Sequence, residues 1–326
     1  KLWMAVDNTF VNLASAGTGN PATGANPTAT ISGTDSVFPI GQIYNASGSK
    51  YAEYNFGQKP FDYTPPTGFV ALATQEFPTP TIADGSLHMN TVIYTGNGTA
   101  IGSGGNAITG VGFQPDFVWI KDRDSTYTHT LVDVVRGPNK RVFSDSTNVE
   151  DTNAEGVNSL DADGFTLGSA GVSNTNNDNF VAWCWKAGGS ASSNSEGSIT
   201  TSVSANTTSG FSIISYTGNA TAGATLGHGL SSAPKFILAK NRDDSVNAWA
   251  GYHVALGGTH RIFLNTSAAA QDDDGNWNDT NPSATVITLG NGEISNHTGE
   301  DFIMYAWAEV EGFSKFGSYT GNGSAD

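Results

Sequence analysis

The chain has 326 residues, more than a single core usually holds, so more than one domain is expected. Its 30 acidic residues outnumber 14 basic ones, and the formal charge of −16 repels phosphate backbones and so argues against a nucleic-acid partner. No run of about 18 apolar residues predicts a membrane-spanning helix.

Composition also indicates the fold class. The sequence contains 40 glycines and a single cysteine, Cys184, so an internal disulfide framework is excluded. Ser, Thr and Asn are abundant, and no long segment shows the 3.6-residue apolar period of a helix. The prediction is an all-β protein made of tandem antiparallel β-sandwich domains of the jelly-roll or concanavalin-like type.

In chain order, the first predicted domain covers residues 1–80. It opens with the apolar run "KLWMAVDNTFVN", continues through a loop rich in Gly, Pro and Asn, and closes with "NFGQKPFDYTPPTGFVAL". A linker is predicted over residues 81–91.

A duplication follows this linker. The string "YTGN" at Tyr94 returns at Tyr216 and again at Tyr319. Between the first two copies the blocks "PDFVWIKDRD" and "PKFILAKNRD", "NKRVF" and "THRIF", and "FVAWCWKA" and "FIMYAWAE" match in order, about 120 residues apart. These blocks predict a β-sandwich over residues 92–187 (repeat 1), a Gly/Ser linker over residues 188–197, and a second sandwich with the start of a third copy over residues 198–326 (repeat 2).

The last matched block predicts a strand that is covered on both faces. Side chains alternate along a strand, so Val181, Trp183 and Trp185 share one face and Phe180, Ala182 and Cys184 share the other. Both faces are apolar, which is typical of a central strand. Trp185 and its counterpart Trp307 are expected at equivalent buried positions.

Catalytic motifs are not evident. The sequence holds no Gly-x-Ser-x-Gly elbow, phosphate-binding loop or His-Glu-x-x-His zinc motif. His129 with the nearby Asp133 and Arg136 forms the most enzyme-like cluster, but a third group with a catalytic role is missing. We expect structural hydrogen bonding there, and no enzyme activity.

One acidic loop suits a calcium ion. The string "QDDDGNWND" gathers hard oxygen ligands, although not in the register of an EF-hand. The predicted ligands are Asp272, Asp274, Asn276 and Asp279. The alternative is a solvated acidic loop that aids solubility.

Aromatic side chains in polar loops suggest a sugar site, because ring faces stack on sugars and neighbouring Asn and Asp bind hydroxyls. The predicted ligand-binding residues are Trp249, Trp277, Tyr252 and Tyr127. The alternative is that these rings close the end of a sandwich.

Several strings resemble known proteins. "NFGQKPFDYTPPTGF" resembles the closing part of a SPRY-type β-sandwich, and "KLWMAVDN" resembles one of its middle strands. "GFQPDFVWIKDRD", "LVDVVRG", "VAWCWKAGGS" and "EVEGFSKFGSYTGNG" are similar to repeated β domains in virion proteins of tailed phages, especially marine ones. Because strands that would precede Lys1 are missing from the SPRY-like segment, association into a homo-oligomer is expected, with a trimer favoured.

The resemblance implies a location on the outside of a virion, at the tail or capsid surface, with other virion proteins as partners. The expected function is adhesion to host-surface glycan. One alternative is a capsid-decorating or fibre-shaft protein that binds virion proteins alone. A second alternative is an appendage enzyme that cleaves glycans, which would need paired carboxylates across a groove.

Overall fold

The computed structural model describes residues 80–323 and, before them, three short strands. The chain divides into two compact units, Lys1–Thr79 and Pro80–Asp326. In the first unit, β1 (Met4–Val6), β2 (Thr9–Asn12) and β3 (Gly17–Thr18) form an antiparallel sheet in that order. The rest of the SPRY-like half-sandwich lies outside the described residues. Among the described residues, no helix is long and apolar enough to cross a membrane.

Repeat 1 contains a large and a small antiparallel sheet. The large sheet has six strands in the order β4-β12-β6-β7-β8-β9, and the small sheet has the order β10-β11-β5. The elements, besides two short 3-10 helices at Gly85–Leu87 and Ile101–Ser103, are β4 (Met89–Thr95), β5 (Asn106–Thr109), β6 (Phe117–Asp122), β7 (Thr130–Asp133), β8 (Lys140–Phe143), β9 (Asp151–Thr152), β10 (Val157–Asp161), β11 (Gly164–Leu167), α1 (Gly171–Asn174) and β12 (Asn179–Trp185).

The large sheet of repeat 2 has the same strand order as that of repeat 1 with two added strands at one edge, and its small sheet has two strands instead of three. Its large sheet has the order β13-β14-β15-β22-β17-β18-β19-β20, and its small sheet pairs β16 with β21. The elements are β13 (Ser192–Asn194), β14 (Thr201–Asn206), β15 (Phe211–Thr217), β16 (Ala224–Gly227), β17 (Phe236–Asn241), β18 (Ala250–His253), β19 (His260–Phe263), β20 (Gln271–Asp272), α2 (Asp274–Trp277), β21 (Val286–Leu289), α3 (Glu293–Asn296) and β22 (Asp301–Trp307).

The two large sheets pack face to face, so that the second unit has four layers with three cores between them. Each small sheet covers the outer face of its own large sheet. The third core joins the repeats: Phe117 of β6 lies 4.3 Å, ring centre to ring centre, from Tyr305 of β22. The predicted all-β, tandem antiparallel sandwich class is confirmed. The repeats share a core, however, and β13 lies within residues 188–197, which were expected to be a linker.

The predicted alternation in the last strand of each repeat is confirmed. Phe180, Ala182 and Cys184 belong to the core of repeat 1, while Trp185 packs against the shared core. Trp185 and Trp307 are equivalent, but both are only partly buried. The expectation of full burial was wrong for this pair, because each tryptophan is the last residue of its strand and lies at the open end of the shared core.

The repeated "YTGN" string fixes the end of the first large-sheet strand against a short helix. Tyr94 donates from its hydroxyl to the carbonyl of Ser173 at 2.8 Å, and Tyr216 donates to Ser295 at 2.6 Å. A Cβ on Gly96 would lie 2.0 Å from the carbonyl oxygen of Thr175, so glycine is required there. The third copy forms no strand, and Tyr319 is 94% exposed.

A buried polar network also connects the two repeats. Arg136 binds Asp133 at 2.6 Å and Glu150 at 3.2 Å, and it donates to the hydroxyl of Tyr305 at 3.2 Å. Tyr305 in turn donates to Asp133 at 2.8 Å. Glu150 also pairs with Arg242 of repeat 2 at 2.8 Å. Charges removed from water are tolerated here because each one has an opposite charge and hydrogen-bond partners.

Acid should weaken this connection between the repeats. Burial alone would raise the pKa of Glu150, but the hydrogen bonds and charges of Arg242 and Arg136 outweigh it and lower the pKa to about 2. A carboxyl group with a lowered pKa stabilises the fold above its ordinary value of 4.5 and loses that contribution as the pH falls toward 2. We expect the free energy of unfolding, measured by urea titration, to fall over this range.

Glu150→Gln is the matched variant for the acid effect. It should be less stable than the wild type at pH 7 and should lose less stability between pH 5 and pH 2.5. Equal acid sensitivity of the two proteins would contradict a role for Glu150.

Candidate functional site

The His129 cluster is separated by the fold. Asp133 and Arg136 are committed to the buried network between the repeats, whereas His129 lies just before β7 and is half-buried. Its backbone N–H donates to Asp145 at 3.0 Å, and burial lowers the pKa of its ring, so the imidazole is neutral at pH 7. The three side chains therefore do not form a catalytic group.

Three of the four predicted sugar-binding aromatic residues are in cores. Trp249 is 0% exposed and donates from its indole N–H to the carbonyl of Phe143 across the shared core at 2.7 Å. Trp277 and Tyr252 pack edge to face in the core of repeat 2, with ring centres 6.1 Å apart. A buried ring cannot stack on a sugar, so the assignment of these three residues is corrected. Tyr127 is 46% exposed, but it lies outside the lining of both cavities described below.

The predicted calcium loop is occupied by an arginine. Arg261 donates to Asn276 at 2.8 Å and pairs with Asp273 at 2.8 Å, so its guanidinium uses the oxygen atoms of this loop. Asp273 also caps α2 by accepting from the N–H of Gly275. In the described part of the chain, no three acidic, histidine or cysteine side chains are placed to hold a metal, and Asp272, Asp274 and Asp279 do not converge. The calcium prediction is corrected accordingly.

A cleft of about 480 Å³ lies between the two repeats. We call it the inter-repeat cleft. It begins where β8 and β19 end, and equivalent segments of the duplication meet there, since Asp145 and Asn265 occupy matching positions. Its lining consists of Trp119, His129, Ser144, Asp145, Leu264, Asn265, Thr266 and Ser267.

Asp145 and Asn265 are fixed by the same backbone contact. The Oδ1 atom of Asp145 accepts from the N–H of His129, and the Oδ1 atom of Asn265 accepts from the N–H of Trp249, both at 3.0 Å. These contacts orient the side chains and leave Oδ2 of Asp145 as an acceptor and Nδ2 of Asn265 as a donor. The cleft therefore offers oriented hydrogen-bonding groups of both kinds beside an aromatic ring.

Trp119 supplies that ring. It is partly buried and packs edge to face on Trp183, with ring centres 6.3 Å apart. Its indole N–H is shielded from solvent and has no acceptor among the described residues. An unpartnered buried donor costs about 1–3 kcal/mol, which an oxygen atom of a ligand could offset.

Sequence reasoning missed these cleft residues for a physical reason. Trp119 lies inside an apolar strand, which is typical of a core residue, and the strand pattern does not show that the facing sheet leaves this ring partly uncovered. A signal for the polar pair did exist, since "VFSD" and "IFLN" both place a short polar residue two positions after the end of a matched strand.

A second cavity, of about 820 Å³, lies at another end of the shared core. We call it the aromatic pocket. Trp185 and Trp307 form its central wall, with ring centres 6.2 Å apart. The segment after β22 closes one side of it through Phe313 and Phe316, and the residues before β4 close another.

Comparisons with known proteins agree with treating both repeats as one structural unit. A family model described as a domain of unknown function, DUF7483, matches residues 84–326, which begins within four residues of the boundary of the second compact unit. No curated protein and no solved structure matches the chain. The match covers well over half of the sequence. The chain therefore belongs to the DUF7483 family, and both repeats lie within its single family domain.

Proposed function

We propose that the chain is a binding protein on the outside of a tailed-phage particle and that it attaches to host-surface glycan through the inter-repeat cleft. The observation that carries this proposal is the combination in one cleft of the Trp119 ring with the oriented polar groups of Asp145 and Asn265. Sugar sites need both an apolar face and directed hydrogen bonds. The virion setting rests on the resemblance of the repeated strings.

The chemistry of the cleft supports binding over cleavage. Glycoside hydrolysis commonly uses two carboxyl groups on either side of the bond. Asp145 is the single carboxylate among the described residues that line the cleft. The neutral His129 ring adds a hydrogen-bonding group without adding charge.

The alternative of a capsid-decorating or shaft protein is supported by a different surface. β4 is an edge strand of the six-stranded sheet, and Ile93 on it is 72% exposed. An exposed apolar side chain on a sheet edge favours packing against another protein, including a second copy of the chain. A homo-oligomer, with a trimer favoured, stays a prediction. Imaging of particles that carry the labelled chain would separate a tail-tip location from a shaft or capsid location.

Filling the cleft should abolish glycan binding. Ser267 is exposed and lines the cleft, so Ser267→Trp should block a ligand there without disturbing a core. We expect at least a tenfold loss of affinity, on the order of 1.4 kcal/mol, for glycans that the wild type captures on an array of bacterial surface polysaccharides. Ser103→Trp, an exposed change outside the cleft, is the control. Capture of no glycan by the wild type, or equal capture by Ser267→Trp, would refute the proposal.

A further inference from the structure

The aromatic pocket lies where the residues before β4 and the residues after β22 meet the shared core. Met89 at the start of β4 and Phe211 at the start of β15 are equivalent, as are Trp185 and Trp307 at the ends of their strands. The duplication therefore places two matching pairs around one cavity. The remaining walls come from Phe236, from the residues before β4 and after β22, and from Trp119, which also lines the inter-repeat cleft.

The rings of the pocket contact one another at several different angles. Trp185 lies at 68° to Trp307, while Phe236 and Phe211 lie at 32° and 33° to Trp307. Phe316 stacks on Phe236 at 20°, with ring centres 6.0 Å apart. Ring faces and ring edges both line the cavity, so a further ring can pack against them in an offset-stacked or edge-to-face arrangement, which an alkyl chain cannot form.

The segment after β22 is held in place by its own contacts. Val310 accepts from the N–H of Ser314 at 2.9 Å, and Phe313 packs edge to face on His88 at 6.0 Å. Phe316 donates its N–H to the carboxylate of Glu309 at 3.0 Å. The wall formed by Phe313 and Phe316 is therefore an ordered part of the pocket.

The electrostatics of the pocket favour an uncharged ligand. No carboxylate occurs in the described lining, although the chain carries 30 acidic residues. Burial, followed by the charge of Lys186, lowers the pKa of His88, so its ring is neutral at pH 7. Lys315 is the single charged group of the described lining, and it is exposed.

Trp185 and Trp307 are partly exposed to this cavity, whereas Trp249 and Trp277 are fully enclosed in cores. The volume of about 820 Å³ is within the range of small-ligand sites, and the lining combines many apolar groups with few polar ones. We propose that the aromatic pocket is a binding site for a neutral aromatic ring system, a function beyond glycan attachment in the inter-repeat cleft, with which the pocket shares the Trp119 side chain. The ring inserts beside Trp185 and Trp307 and is enclosed by Phe313 and Phe316.

Calorimetric titration of the full chain with 2-naphthol tests this proposal, with 1-octanol as an alkyl probe. We expect saturable binding of one 2-naphthol per chain, at least tenfold tighter than that of 1-octanol. The double variant Phe313→Ala/Phe316→Ala removes one wall outside the strands and should weaken 2-naphthol binding at least tenfold. A thermal melt of this variant checks that the three cores persist.

Two controls make the outcome specific. Tyr319→Ala changes an exposed ring three residues beyond Phe316 and should leave 2-naphthol affinity unchanged. Ser267→Trp, which fills the inter-repeat cleft, should also leave the 2-naphthol affinity unchanged, so that failure of the glycan proposal and failure of this one are distinguishable.

Should the double variant Phe313→Ala/Phe316→Ala fail to fold, Trp185→Leu replaces it, with the same expected tenfold loss of 2-naphthol affinity. The proposal is overturned by a lack of saturable binding, by equal affinity for 1-octanol, or by unchanged affinity in the wall variants.

Discussion

Replacing Arg136 with alanine should lower the free energy of unfolding by about 3–5 kcal/mol, because it leaves a buried carboxylate without its cation. Arg136 and Asp133 both have fully buried side chains. Burial alone would lower the pKa of Arg136, but Asp133, Tyr305 and Glu150 outweigh it and raise the pKa, so the guanidinium stays charged. Urea titration at pH 7 measures the effect.

The size of this loss depends on the charge that remains behind. In the double variant Arg136→Ala/Asp133→Ala the loss should be smaller than the sum of the two single losses, since the uncompensated carboxylate is gone. Arg123→Ala, at an exposed arginine of the same repeat, should change stability by less than about 0.5 kcal/mol. A loss below about 1 kcal/mol for Arg136→Ala would mean that water reaches Asp133 and satisfies it.

The sequence was informative about the fold because the duplication provides two different sequences for each pair of equivalent strands. "FVAWCWKA" and "FIMYAWAE" differ at most positions, yet both keep apolar side chains on the two faces. This agreement predicted a strand covered on both sides, and the structure places β12 and β22 between two cores each. Periodicity alone did not reveal that the second cover is the other repeat, because a strand pattern does not identify what packs on it.

Site prediction was weaker because burial is a tertiary property. Trp249 precedes β18 within a polar stretch, and nothing local distinguishes it from an exposed loop ring. In repeat 1 the matching position is His129, so the duplication does not indicate that a core tryptophan belongs there. The calcium prediction was wrong for a related reason. Arg261 lies ten residues before Gln271 in the sequence, and the pairing of β19 with β20 brings it next to the acidic loop. The loop sequence alone does not show this contact.

Trp249→Ala should cost about 3–5 kcal/mol of unfolding free energy, the usual range for removal of a fully buried large aromatic residue. The side chain lies in the shared core, stacks on Tyr305 with ring centres 6.3 Å apart, and donates to the carbonyl of Phe143. Its removal therefore creates a cavity and takes away one hydrogen bond between the repeats. Chemical denaturation of the full chain provides the measurement.

Trp249→Phe separates these two contributions. Phenylalanine keeps an aromatic ring in the core but cannot donate to Phe143, so the loss should lie between zero and the value for alanine. His129→Ala is the matched control, because His129 occupies the same position in repeat 1 and is only half-buried; its effect should be well below that of Trp249→Ala. If Trp249→Ala instead left stability unchanged, the ring would not be part of the core between the repeats. The face-to-face packing of the two large sheets would then lose one of its main contacts, and the stacking role in a sugar site would again be open for this residue.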